Sequence, residues 1–148
     1  MPSYYFDTSA LVKLYLREPG SSEAARLAEQ AAPGQLMASA LARVEGRAAF
    51  RALARRKEIP ADAADELIAR LNRDMDEVFL LQPVSDAVLQ QAGALLDRRA
   101  LRAYDAVQLA SCLVLAGADP PCFVCSDRAL LRTAGEEGLE IFDPADGR

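Results

Sequence analysis

The chain has 148 residues, 51% of them hydrophobic, 26% charged and 6% aromatic, with neither Trp nor His. One domain of this size buries roughly 68–70% of the surface its unfolded form exposes, and the composition excludes an intrinsically disordered chain. A net charge of −5 and a pI near 4.8 have the wrong sign for holding nucleic acid by bulk electrostatics. The lack of histidine removes Ser-His-Asp and Cys-His nucleophile schemes and the commonest transition-metal ligand.

No apolar run reaches membrane-span length, and Met1-Pro2-Ser3 leads into a strand rather than a signal peptide, so a cytoplasmic protein is expected. Cys112, Cys122 and Cys125 are odd in number, which argues against a disulfide scaffold. Cys122 and Cys125 have CxxC spacing within a strand, where residues three apart face opposite sides, and both are expected in the core.

The first predicted element is a strand from Ser3 to Asp7, after which Thr8 or Ser9 caps a helix carrying Leu11, Leu14 and Tyr15. Glu18-Pro19-Gly20 ends it. A second helix runs from about Ser21 to Ala31, and a strand from Gln35 to Ala38. Ser39 caps a long third helix, about Ala40 to Lys57. Its apolar stripe of Leu41, Ala48 and Ala52 also holds Glu45, while Arg43, Arg47, Arg51 and Arg55 form a basic ridge. Pro60 opens a fourth helix to about Val78, with Leu67, Ile68 and Leu71 inward, and the two helices make a hairpin.

A short strand at Phe79 to Leu81 leads to the Ser85 cap of a helix from Asp86 to Arg98. Tyr104-Asp105 opens the next helix, with Leu109, Cys112 and Ala116 on the Asp105 side and Gly117 as its stop. Strand Cys122 to Cys125 ends at Ser126-Asp127, a helix follows to about Glu137, and a last strand runs from Leu139 to Phe142. This alternation predicts a single α/β domain over residues 1–143, a parallel sheet flanked by helices with right-handed crossovers, and a loose tail at 144–148.

Asp7, Glu45, Asp105 and Asp127 are the candidate site residues. Each has a local explanation: Asp7 and Asp127 as caps, Asp105 against a helix dipole, Glu45 paired with an arginine. Jointly they point further, because two strands end in an acid at one sheet edge, where open α/β sheets bind ligands. Carboxylates about 4 Å apart repel by roughly 4 kcal/mol per pair at an effective dielectric near 20, and divalent cations relieve this. Oxygen ligands alone select Mg²⁺ or Mn²⁺, which activate water and offset charge in phosphodiester hydrolysis.

Tyr5-Phe6-Asp7-Thr8-Ser9-Ala10-Leu11, Ser39 to Glu45, Leu101-Arg102-Ala103-Tyr104-Asp105-Ala106 with Leu109-Ala110, and Ser126-Asp127 with Leu130 then Gly138-Leu139 resemble a PIN domain of the VapC-type ribonuclease toxins. The resemblance spans nearly the whole chain. It implies a PIN-like α/β/α fold, Mg²⁺- or Mn²⁺-dependent endonucleolytic cleavage of RNA, and a homodimer held in check by a cognate antitoxin. It also implies that Asp7, Glu45, Asp105 and Asp127 bind metal, with Ser9 a supporting hydroxyl. Gln108 stands where many relatives have His. Arg128 and Ala129 follow Asp127 where some have a further acid, which favours a one-metal resting site. Arg47, Arg51 and Arg55, or Lys13 and Arg17, are candidates for guiding RNA phosphates. The competing readings are a catalytically silent PIN-fold binding module and a receiver-like phosphoacceptor domain, which requires paired acids where Asp7 stands alone.

Overall fold

Tyr4–Phe6 (β1) is the middle strand of a five-stranded sheet, ordered β3-β2-β1-β4-β5 and parallel throughout. The other strands are Leu36–Ser39 (β2), Leu80–Gln82 (β3), Cys122–Val124 (β4) and Ile141–Phe142 (β5) in a computed structural model that describes residues 2–148. Seven α-helices connect them: Thr8–Leu11 (α1), Ser21–Gln30 (α2), Ala42–Arg55 (α3), Ala61–Glu77 (α4), Asp86–Arg98 (α5), Ala103–Leu115 (α6) and Arg128–Glu136 (α7).

Alternation along β1 divides the core. Phe6 faces a cluster with Leu11, Phe50, Leu71 and Met75 from α1, α3 and α4, and with Phe79 just before β3. Tyr5 faces the other side, with Val88, Leu95, Leu109 and Leu130 from α5 to α7, and stacks on Phe123 of β4 with ring centroids 5.5 Å apart. Each face therefore carries its own helical layer, the arrangement expected of a buried parallel sheet.

Four local expectations are corrected. Asp7 itself caps α1, accepting from the Ser9 amide, and Thr8 and Ser9 lie inside the helix, which tightens into a 3-10 turn at Val12–Leu14. The buried stripe of α3 is Ala42, Gly46 and Phe50, so Glu45 sits on its flank. Gly46 allows this close approach: a Cβ there would stand 2.5 Å from Leu71 Cδ2 of α4. The basic ridge is partly consumed by the hairpin, since Arg43 pairs with Asp76 and Arg51 with Asp65, 2.7 Å apart. Lys13 is buried, donating to Glu18 at 2.9 Å and the Pro19 carbonyl at 2.8 Å, so it is a structural cation. Cys112 and Cys125 are buried free thiols, as expected of core cysteines, whereas Cys122, also free, is half-buried against the core because it starts the strand at the sheet's amino edge.

The last residues, expected to be loose, close into a turn in which the amides of Asp146, Gly147 and Arg148 all donate to the Asp143 carbonyl. Asp143 is buried, and its Oδ1 accepts from the Ser126 hydroxyl at 2.9 Å and the Ala145 amide at 2.9 Å. The tail thus braces the loop between β4 and α7. Gly20 makes room for it: its φ is +94°, and a Cβ there would lie 2.7 Å from backbone atoms of Pro144 and Ala145. Gly20→Ala is expected to lower stability by roughly 1–3 kcal/mol in urea unfolding and to speed proteolysis of the last residues. Parental stability with an equally protected tail would contradict this packing.

Candidate active site

The chain moves outward from β1 to β2 and β3 on one side, then crosses to β4 and β5 on the other. The sheet's direction of winding reverses between β1 and β4, and ligands of open α/β sheets bind in the crevice beyond the carboxyl ends of such strands. Asp7 follows β1 and Asp127 follows β4 after two residues. The two acids also cap α1 and α7, while Glu45 and Asp105 fall in the first turns of α3 and α6. All four candidate acids therefore stand at helix amino termini, whose positive dipole ends offset part of their mutual repulsion.

Each acid has one oxygen held by the protein. Asp7 Oδ2 accepts from the Ser9 hydroxyl at 2.7 Å, the Ser9 amide at 3.2 Å and Cys125 Sγ at 3.4 Å. Glu45 Oε1 accepts from Gln108 Nε2 at 2.6 Å and Thr8 Oγ1 at 3.0 Å. Asp105 Oδ2 accepts from Arg102 Nε at 3.0 Å. Asp127 Oδ1 accepts from the amides of Ala129 and Leu130 at 3.1 and 3.2 Å, and its Oδ2 lies 3.6 Å from Arg102 Nη2.

Behind these contacts lies a buried polar chain. The Tyr5 hydroxyl donates to Gln108 Oε1 at 2.8 Å, which turns the amide nitrogen of Gln108 toward Glu45 and, at 3.0 Å, Thr8 Oγ1. Gln108 therefore performs the donor task toward Glu45. The Ser126 amide donates to Ser9 Oγ at 3.0 Å, tying the turn after β4 to the turn after β1.

Asp7 is 4% exposed. Burial is the main reason its carboxyl is pushed up from 3.8 to about 6, opposed by the Ser9 hydrogen bonds and reinforced by the charge of Glu45. Burial also raises the Cys125 thiol, keeping it protonated and able to donate to Asp7. The fields overlap: Glu45 acts on Asp7 and Arg102, and Arg102 feels Asp105, Asp127 and Glu45. The structure thus links Glu45 to Thr8 and Asp105 and Asp127 to Arg102, while the charge of Glu45 reaches Asp7. Among the described residues, no three acidic, cysteine or histidine side chains close into a tight metal-holding cluster. The carboxylate-only donor set fits a hard cation that keeps several waters rather than a closed protein cage.

An apolar cleft of about 320 Å³ adjoins Glu45, lined also by Leu41, Val44, Ala48 and Tyr104. A larger cleft of about 710 Å³ lies between α7 and the tail and contains none of the four acids. Thr8, Arg102 and Asp143 are contributors that the sequence pattern did not single out. Only Thr8 carried a local signal, as a hydroxyl beside the first acid.

The PIN domain profile matches residues 4–136. Ribonuclease VapC45 and ribonuclease VapC49, from two strains of Mycobacterium tuberculosis, are each 38% identical over 145 residues, covering 95% of both chains. The fold matches FitAcB from Neisseria gonorrhoeae with a TM-score of 0.70 at 13% identity, covering 95% of this chain and 97% of that one. It matches VapC20 of Mycobacterium tuberculosis, described as a sarcin-ricin loop cleaving toxin, with a TM-score of 0.66 at 21% identity, covering 93% and 96%. The chain belongs to the PIN-domain family, on its VapC branch.

The raised Asp7 carboxyl fixes a sign. Between about pH 4 and 6 the native state holds a proton that the unfolded chain has released, so stability falls as pH rises through that window. The shift from 3.8 to about 6 corresponds to roughly 3 kcal/mol. Without added metal, Asp7→Asn is expected to be more stable than the parent at pH 7.5, and the advantage should vanish near pH 4. Denaturant unfolding at the two pH values checks this, and a variant less stable at both would contradict it.

Proposed function

We propose that this chain is the toxin of a toxin–antitoxin pair, a Mg²⁺- or Mn²⁺-dependent endoribonuclease whose ion is held by Asp7, Glu45, Asp105 and Asp127. The observation that carries the reading is a division of labour: groups that stay in place fix one oxygen of Asp7, Glu45 and Asp127, and all four acids stand at helix amino termini. When bound, the ion lowers the pKa of an attacking water and offsets charge on the phosphodiester. Ser9 holds Asp7, and the Tyr5–Gln108–Thr8 chain holds Glu45, so both acids keep their geometry without the ion. The single acid at the end of β4, followed by Arg128 and Ala129, favours one resident ion.

The names of the curated relatives support the ribonuclease reading. A structural neighbour described as a toxin–antitoxin complex from Klebsiella pneumoniae, with a TM-score of 0.67 at 18% identity, supports a protein antitoxin as partner. We place the protein in the cytoplasm as a homodimer. Among the described residues no helix is long and apolar enough to cross a membrane, and Val44 and Tyr104 expose apolar surface beside Glu45.

Cleavage of RNA with Mg²⁺ or Mn²⁺ tests the assignment. Asp7→Asn and Asp105→Asn are each expected to lose at least about 10²-fold in rate, the cost of removing one charge-stabilising group. Activity that survives both substitutions would overturn it. Expression should also arrest growth, with relief by co-expression of the antitoxin.

A chain of net charge −5 needs local cations to hold RNA. Arg17, Arg47 and Arg55 are exposed and, among the described residues, make no salt bridge, so they fit that task better than Arg51 or Lys13. On the Asp7→Asn protein, which leaves RNA uncut, Arg47→Glu with Arg55→Glu is expected to weaken RNA binding and flatten its salt dependence. An unchanged slope would remove these residues from the RNA path.

A further inference from the structure

Arg102 immediately precedes α6. Its Nε donates to Asp105 Oδ2 at 3.0 Å, its Nη2 lies 3.6 Å from Asp127 Oδ2, and the charge of Glu45 reaches it as well. A guanidinium is always charged and presents its donors in a fixed plane, so it can face two carboxylates at once. These two acids come from different elements, the first turn of α6 and the cap of α7. Arg102 therefore stands, as a cation, among three of the four acids assigned to the ion.

We propose that Arg102 is the site's own counter-ion: without a divalent cation it neutralises Asp105 and Asp127, and the cation displaces it on loading. The inference rests on the metal site proposed above and deepens it, naming the residue that sets the cation concentration at which the site fills. Arg102 is suited to being displaced. Its side chain is 79% exposed, so it has solvent to swing into, and exposed ion pairs contribute little net free energy. A doubly charged ion that draws oxygens from several acids outcompetes one guanidinium that reaches two.

The direction of the effect separates this role from simple scaffolding. If Arg102 only held the acids in place, removing it would loosen the site and weaken ion binding. If it competes for them, removing it tightens binding.

The test is a titration of the RNA-free protein with Mn²⁺, following unbound Mn²⁺ by electron paramagnetic resonance. Arg102→Gln is expected to bind Mn²⁺ about tenfold more tightly than the parent, equivalent to about 1.4 kcal/mol. Arg102→Lys, which keeps a positive charge at the position, should stay close to the parent. Arg26→Gln removes the same charge from α2, where Arg26 pairs with Glu23, and should change nothing.

Unchanged or weaker binding by Arg102→Gln overturns the proposal, as does an equal gain from Arg26→Gln. Because no RNA and no turnover enter the titration, the two readings fail separately. A parent that binds Mn²⁺ while Arg102→Gln binds it no better removes only the counter-ion role, whereas a parent that binds none removes the metal site as well.

Discussion

The burial of one carboxylate constrains everything around it. Asp7 ends the central strand beneath two helical layers, where an unpaired charge would be prohibitive. Three donors converge on its Oδ2, from Ser9 and Cys125, and they hold the carboxyl in a single orientation while burial still pushes it up to about 6. Ser9 in turn accepts from the Ser126 amide, so orienting Asp7 also draws the turn after β4 into contact with the turn after β1. A cation bound beside a carboxyl under this electrostatic tension would restore its charged form.

The remaining acids are relieved by other means, and the differences organise the site. Glu45 leans on a neutral donor, Gln108, anchored from below by the Tyr5 hydroxyl. Asp127 spends one oxygen on two amides of α7. Asp105 turns to Arg102. Neutral donors thus serve the buried side of the site and an exposed cation serves its open side. The tail adds a brace from outside: Asp143 holds Ser126, and Gly20 provides the space for the turn that carries Asp143.

Much of this architecture was legible in the sequence because it is written in local signals. A strand stopping at an acid, the Ser85 cap with α5 from Asp86 to Arg98, and the Pro60 opening of α4 are set by neighbouring residues. What the sequence hid depends on contacts between distant segments. The buried stripe of α3 is displaced from the one its apolar spacing predicts because Gly46, which carries no hydrophobic side chain, marks the face where Leu71 enters. The arginine ridge looked free because its partners, Asp65 and Asp76, belong to the next helix. The Tyr5 to Gln108 bond spans 103 residues, and nothing near either residue announces it. The tail looked loose because its anchor is the space at Gly20, far back in the chain.

The central claim is that acids distant in sequence form one site for a hard cation. Diffraction from crystals soaked in Mn²⁺, using anomalous scattering at the manganese edge, tests it without reference to catalysis. The account predicts a peak at the crevice beyond β1 and β4, with an oxygen of Asp7 and an oxygen of at least one of Glu45, Asp105 and Asp127 among its ligands. Manganese bound only elsewhere on the surface, with the crevice empty, would contradict it.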